Sequence, residues 1–344
     1  MNLMQALVKT APDKIEFKMV AIPHCGPRDV LIRVKAAALC GTDLHICDWN
    51  SWAQGANIKL PLILGHECCG DVEAIGSDIT TVKVGDKVAS ETHIPCGRCY
   101  QCFNGQQHIC SNLKLFGIHM NGCFAEYAII PEIGARKIPT AIPYELGAVM
   151  EPLGTALRAV HEAKVSGANV VVIGCGPIGL FAVASAAALG AATITATDIS
   201  ESRLETARRM GAQVTLNALQ ADIPKVIMEK ISAGVDVIIE ASGNAQAYEQ
   251  SFHFLRKGGR MVLIGLPSKS VNLNLGKDVV FKEAEIIGIH GRKMFETWTQ
   301  MENLLAAGKL NIKPAITHEF PLDQWQQGIA LARDGRAGKV IFYP

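Results

Sequence analysis

At 344 residues the chain exceeds the roughly 250–300 at which one hydrophobic core stops growing, so two domains are expected. It is 49% hydrophobic and 19% charged, with a net charge of +1 and dispersed basic residues, which excludes a nucleic-acid footprint and a polybasic membrane patch. The opening run MNLMQALVKTAPDKIEF lacks the apolar segment of an export signal, so a cytoplasmic protein is expected, in which clustered thiols bind metal more often than they pair.

In chain order, residues 1–150 carry short β-like runs separated by Gly and Pro, among them DVLIRVKAAAL, GDVEAIG and VGDKVAS. From Val165 to Thr197 no side chain is charged. The length suits a membrane span, but Gly174, Gly176, Pro177, Gly179 and Gly190 punctuate it and β-branched residues cluster at its ends, which fits a buried strand–turn–helix–strand better. From there strands are predicted at 169–173, 193–197, 213–217, 235–239, 260–264 and 285–289, with helices over 177–189 and 200–210 between them. This alternation predicts an α/β, doubly wound parallel sheet. The tail predicts helices near 295–307 and 322–334 and a last apolar run, KVIFYP. The expected division is a discontinuous domain of 1–153 with 291–344 and an inserted nucleotide domain of 154–290.

Within the insert, Gly174-Cys175-Gly176-Pro177-Ile178-Gly179 follows an apolar strand and opens a helix, and Asp198 ends the next strand. A lone GxGxxG is weak; this context is what a dinucleotide fingerprint requires. Gly174 permits the turn, Gly176 a close pyrophosphate, and Gly179 helix–strand packing. Asp198 would accept from the adenosine ribose hydroxyls and repel a 2′-phosphate, favouring NAD, while Arg203 nearby could instead serve a phosphate. A purely structural turn is the alternative.

Two cysteine-bearing sets stand in the first domain. In PCGRCYQCFNGQQHIC, Cys96, Cys99, Cys102 and Cys110 are spaced C-x2-C-x2-C-x7-C. Four thiolates close a tetrahedron around Zn²⁺, the signature of a structural site. Iron–sulfur ligation competes, although the seven-residue last spacing departs from the ferredoxin run. Earlier, CGTDLH (Cys40, Thr42, Asp43, His45) and GHE (His66, Glu67) supply the mixed sulfur, nitrogen and oxygen ligands of a catalytic zinc with an open position. Each residue alone reads as packing; co-occurrence with the four-cysteine lobe and a nicotinamide-type fold is what raises the metal reading.

These motifs, with GCFAEY at Gly122–Tyr127 and GKVI near the C-terminus, resemble the zinc-dependent medium-chain alcohol dehydrogenase family over essentially the whole chain. The resemblance implies a β-rich GroES-like catalytic domain, a Rossmann domain that binds NAD, one catalytic and one structural zinc per subunit, and a homotetramer. It implies Cys40, His66 and Glu67 as the ligands of the catalytic zinc, Thr42 and His45 as a proton relay, Glu151 as a fourth ligand or proton carrier, and Ile264, Gly265, Leu266, Ile289 and His290 around the nicotinamide. Thr42 could also serve as a helix N-cap. The runs HICDWNSW and GRKMFETW narrow the likeness to members that oxidise the β-hydroxyl of L-threonine to 2-amino-3-oxobutyrate, a step of threonine breakdown. Trp49, Trp52 and Arg292 are then candidates for the pocket, with core packing as their bland reading. A sorbitol- or butanediol-type dehydrogenase and a non-catalytic NAD-binding relative are the alternatives.

Overall fold

The computed structural model describes residues 2–344, which form two compact units: one runs to Glu151 and is completed by Ile316–Pro344, and the other is Pro152–Ala315. Among the described residues no helix is long and apolar enough to cross a membrane.

The first unit is β-rich. Its main sheet centres on Asp29–Ala38, which pairs antiparallel with Glu67–Ile75, with Tyr127–Pro131 and with the C-terminal strand Lys339–Tyr343. Lys87–Ser90 and Ala135–Lys137 extend one side, and Ile316–Pro321 runs parallel to the C-terminal strand on the other. A second, three-stranded sheet joins Leu3–Ala11 to Lys14–Ala21 and Leu62–Ile63. Alternation along Asp29–Ala38 sends Val30, Ile32 and Val34 into a core with Leu7, Leu64, Phe116, Phe124 and Phe342. Register does the positioning. Ala38 lies opposite Glu67 on one flank and opposite Ile341 on the other, so Cys40, two residues on, emerges where Glu67 and the start of the last strand also lie.

The second unit holds a six-stranded, fully parallel sheet ordered 214–217, 193–198, 169–173, 235–240, 255–263, 285–288. The order reverses direction between Asn169–Ile173 and Val235–Glu240, and ligands of such sheets bind at the carboxyl ends of the strands flanking that point. Val171, Ile238 and Met261 on the strands meet Ile227, Phe252 and Phe254 of the helices in one apolar cluster.

Residues 291–315 pack with this unit, whereas the sequence grouped them with the first. Trp298 and Met301 of the helix Glu296–Ala306 are fully buried, and the Arg292 side chain crosses Gly154 so closely that a Cβ there would touch its Cδ at 2.5 Å. Asn311 also donates to the Arg209 carbonyl at 2.9 Å. An amphipathic helix followed by a strand suits either unit; the bulk of Trp298 and Arg292 in this niche decides it.

Candidate active site and dinucleotide cleft

The scattered trio converges. The Cys40 sulfur, a His66 ring nitrogen and a Glu67 carboxylate oxygen lie within 4.8 Å of one another. Cys40 is the N-cap of the helix Gly41–Asp48, and the Asp43 carboxylate closes the turn by accepting from the Cys40 amide at 2.9 Å. Thr42 is therefore not the cap; its hydroxyl lies 3.7 Å from the Cys40 sulfur. His66 and Glu67 follow Gly65, whose φ of +87° and tight packing on Phe124 leave no room for a side chain. Ser90 donates to the His66 carbonyl and accepts from the Cys68 amide, each at 2.8 Å, which pins the strand.

The surroundings call for a cation. His66 is 4% exposed and turns Nδ1 toward Asp43 Oδ1 at 3.5 Å and Nε2 toward Glu67 Oε1 at 4.0 Å. Burial works against a positive charge on the ring, yet Asp43 and Cys40 overcome it and hold its pKa well above 6.5. Burial also pushes the Glu67 carboxyl up, an effect that Lys339 and His66 oppose. Lys339, buried beside it, donates to Glu67 Oε2 and, at 3.0 Å, to the Leu39 carbonyl. Glu67 Oε1 keeps no hydrogen-bond partner although it is buried. Thiol, imidazole and an unspent carboxylate oxygen in one place, with Asp43 behind the histidine to orient it, fit a zinc ion. Glu151 is close enough in charge to raise both Glu67 and Lys339.

The four-cysteine lobe fits a second zinc of another kind. Its sulfurs lie within 4.8 Å of one another, with Cys99 at 3.5 Å from Cys102 and 3.7 Å from Cys110. Zn–S bonds of about 2.3 Å in a tetrahedron require sulfurs about 3.8 Å apart. The amides of Cys96 and Asn112 both donate to the Cys110 sulfur at 3.3 Å. The amide of Cys102 draws the Cys99 thiol down, toward the thiolate form that binds metal. Four thiolates would fill the tetrahedral coordination of such an ion and leave no open position on it. The remaining six cysteines are free, and Cys68 and Cys69 are buried packing.

In the second unit a cleft of about 650 Å³ opens at the sheet's reversal point, lined by Gly174, Gly176, Asp198, Arg203, Ser242 and Asn244 among others. Gly174 takes φ +87° and faces Ser242, and a Cβ on Gly179 would overlap the Gly174 carbonyl, so helix and strand meet as the fingerprint demands. Gly176 caps the helix Pro177–Ala188, whose free amides face the turn. Asp198 accepts from the Cys175 amide at 2.6 Å and the Ser200 amide at 2.9 Å; each oxygen retains a lone pair for a ribose hydroxyl. Ile178, Ile264, Gly265, Leu266, Ile289 and His290 are not among the residues lining this cleft. Glu240, which no motif marked, is fully buried at the end of its strand and gathers the amides of Ser242 (3.0 Å) and Gly243 (3.2 Å). It ends an apolar strand as Asp198 does, and that parallel was the available signal.

Of the pocket candidates, Trp52 stands with its ring 5.9 Å from that of His45, Trp49 takes the left-handed φ of +48° that ends the helix Gly41–Asp48, and Arg292 lies in the interior of the second unit over the Trp298 ring. Asp43 and Lys339 are the functional neighbours that sequence reasoning passed over. Asp43 lies in CGTDLH, where it reads as a candidate oxygen ligand rather than as the partner of His66, and Lys339 lies in GKVI, where nothing local marks it.

A mixed thiol–imidazole–carboxylate site on a GroES-like body, joined to a dinucleotide fold, defines a metal- and nicotinamide-dependent oxidoreductase. Residues 26–140 match the alcohol dehydrogenase GroES-like domain and 177–307 the zinc-binding dehydrogenase domain. The L-threonine 3-dehydrogenases of Bacillus licheniformis and Caldanaerobacter subterraneus subsp. tengcongensis are 42% and 43% identical to this chain, covering 99% and 100% of it and 99% of each relative. Among solved structures, a zinc-binding dehydrogenase of Sinorhizobium meliloti bound to NADP superposes with a TM-score of 0.92 at 30% identity over 100% of both chains. An alcohol dehydrogenase of Escherichia coli complexed with NADH gives 0.92 at 26% over 99% of both. The chain belongs to the zinc-binding, medium-chain alcohol dehydrogenase family, and zinc and a nicotinamide dinucleotide are its cofactors.

Proposed function

We propose that the protein is an NAD-dependent dehydrogenase that oxidises the secondary hydroxyl of L-threonine to 2-amino-3-oxobutyrate, in the breakdown of threonine. The observation that carries the reading is the intact Cys40–His66–Glu67 set in a chain that follows the L-threonine 3-dehydrogenases from end to end. When bound, zinc supplies Lewis-acid polarisation of a hydroxyl oxygen, and NAD⁺ accepts the hydride.

The chain's own residues do the rest. Asp43 orients His66, and Lys339 holds one oxygen of Glu67 while leaving the other free for the metal. The Thr42 hydroxyl, adjacent to the Cys40 sulfur, takes the substrate proton and passes it to the exposed His45 and so to solvent. Glu151 acts as a proton carrier or occasional ligand. Asp198 favours NAD by placing a carboxylate where a 2′-phosphate would sit. Cys96, Cys99, Cys102 and Cys110 hold the structural zinc.

We further propose a cytoplasmic homotetramer. The edge strand Glu285–Gly288 has one free side, and Val280, Phe281 and Ile286 near it are exposed, which supports association through that edge. Light scattering reads the mass directly.

The deciding assay supplies NAD⁺ and a panel of alcohols to the zinc-loaded protein and follows NADH absorbance. L-threonine should turn over, and Cys40→Ser should abolish the signal. Brisk turnover of butanediol or sorbitol with none of L-threonine would instead favour the diol reading, since the (2R,3R)-butanediol dehydrogenase of Bacillus subtilis superposes with a TM-score of 0.89 at 27% identity over 99% of both chains.

A further inference from the structure

The helix Gly41–Asp48 ends in a left-handed residue, and Asn50 begins the next short helix, Ser51–Gly55. The side chain of Asn50 does two things at once. Its Oδ1 accepts from the Ala53 amide at 3.1 Å, the N-cap bond of that helix. Its Nδ2 lies 2.8 Å from Nδ1 of His45. The first contact decides the second. A backbone amide can only donate, so the amide oxygen must face Ala53, and the flipped amide would set two donors against each other. The group facing His45 is therefore an NH₂, which can only donate. Nδ1 of His45 must accept with its lone pair, and the ring's single proton sits on Nε2.

We propose that Asn50 is a positioning residue that fixes the neutral ring of His45 as its Nε2–H tautomer. A doubly protonated ring would aim an Nδ1–H at the Asn50 NH₂. To form it, Asn50 must release either His45 or Ala53. A proton that enters the ring at Nδ1 must displace the Asn50 NH₂ before the Nε2 proton leaves to water, so Asn50 sets the cost of each transfer through His45. The inference rests on the reading of His45 as the relay's outer member.

The charged groups around this helix have other partners. Arg333 pairs with Asp48, Lys9 donates to the Cys47 carbonyl at 2.7 Å, and Asp43 faces His66 and the Cys40 amide. The Trp52 ring covers His45 on one side without offering it a charge.

Nitrogen-15 NMR of the zinc-loaded, full-length protein with labelled histidine tests the proposal, with His45→Gln identifying the signal among the ten histidines. The neutral ring of His45 should show an unprotonated Nδ1 and a protonated Nε2. Asn50→Asp keeps the helix cap, because a carboxylate still accepts from Ala53, but now offers an acceptor to Nδ1–H. The titration of His45 should then move to higher pH by about one unit. Asn50→Ser also caps the helix but lacks the reach to the ring, and its His45 signal should titrate between those of the other two proteins. A protonated Nδ1 in the unmodified protein, or an Asn50→Asp protein that titrates where the unmodified one does, overturns the proposal. Turnover separates the two readings. If the acid limb of kcat/KM moves up with the NMR titration, both stand. If only the NMR titration moves, the assignment of Asn50 stands and the relay role of His45 falls.

Discussion

Replacing Lys339 with Met keeps the length and apolar stem of the side chain while removing its charge from the Glu67 carboxylate. Both side chains are essentially excluded from water, at 2% and 0% exposure. Burial works against a charge on Lys339, but Glu67 and Cys40 outweigh it and raise its pKa above 10.5. Burial also pushes the Glu67 carboxyl toward its neutral form; the direct contact between the two side chains favours the ionic pair. Removing one member of a buried pair leaves an uncompensated charge and costs roughly 3–5 kcal/mol. At about 2–4 °C per kcal/mol, that is on the order of 10 °C in the melting of the first unit. The cost should be largest in chelated protein and smaller in zinc-loaded protein, where the bound dication supplies the positive charge that Lys339 gave. The double variant Glu67→Gln with Lys339→Met removes both charges and should recover most of the loss in the chelated state. Calorimetry of the four proteins with and without zinc reads all of this. If Lys339→Met melts within about 2 °C of the parent when chelated, or the double variant melts no higher than the single, the pair is not ionic and the account of Glu67 collapses.

Three further outcomes follow from the geometry. Cys99→Ser should lose about one zinc per subunit and melt earlier, while Cys40→Ser should lose the other zinc and all turnover; metal quantification that shows one shared ion would contradict two independent sites. Gly179→Ala drives a Cβ into the Gly174 carbonyl, so the KM for NAD⁺ should rise at least about tenfold with a stability loss of about 1–3 kcal/mol; an unchanged KM would sever that glycine from the cofactor. Burial works against the charge of Asp236, but the Asn169 amide and the Arg256 guanidinium, each at 2.7 Å, prevail and lower its pKa below 3.8. Its stabilisation is therefore complete above the ordinary carboxyl pKa and fades as pH falls through the depressed one. Asn in its place should cost about 1 kcal/mol at pH 7 and little near pH 2, as urea titrations at the two values would show.

Much of the dinucleotide half was legible because its signals are local. Asn169–Ile173 is an apolar run ended by glycine, and it is a strand over those same residues; Asp198 is among the residues that line the cleft. The residue types of the trio Cys40, His66 and Glu67, which converge within 4.8 Å, could be read from the sequence because thiol, imidazole and carboxylate are the donors an open zinc site uses. The supports of the trio could not. Asp43 serves through a capping turn that any short acid could make, and Lys339 reaches Glu67 only because two strands flank Ala38 in a register that no local pattern specifies. Residues 291–315 were assigned to the other unit because the helical periodicity of 296–306 states which face is buried but not against what. Glu240 escaped notice for a related reason. Its partners are backbone amides, which carry no sequence signature.

The last strand gives the protein a temporal order. Lys339 belongs to the final six residues, yet it completes a site whose other members lie among the first seventy. During synthesis the ribosome releases Cys40, His66 and Glu67 long before the cation that steadies Glu67 exists. Until Lys339–Tyr343 slots beside Asp29–Ala38, that sheet lacks a central member and the carboxylate lacks its counter-charge. Such a long-range closure is a slow contact to form. The three metal-ligand candidates thus stand close together in sequence, while the counter-charge of one of them comes from a strand 272 residues away, so the electrostatics of the site depend on a contact that spans most of the chain.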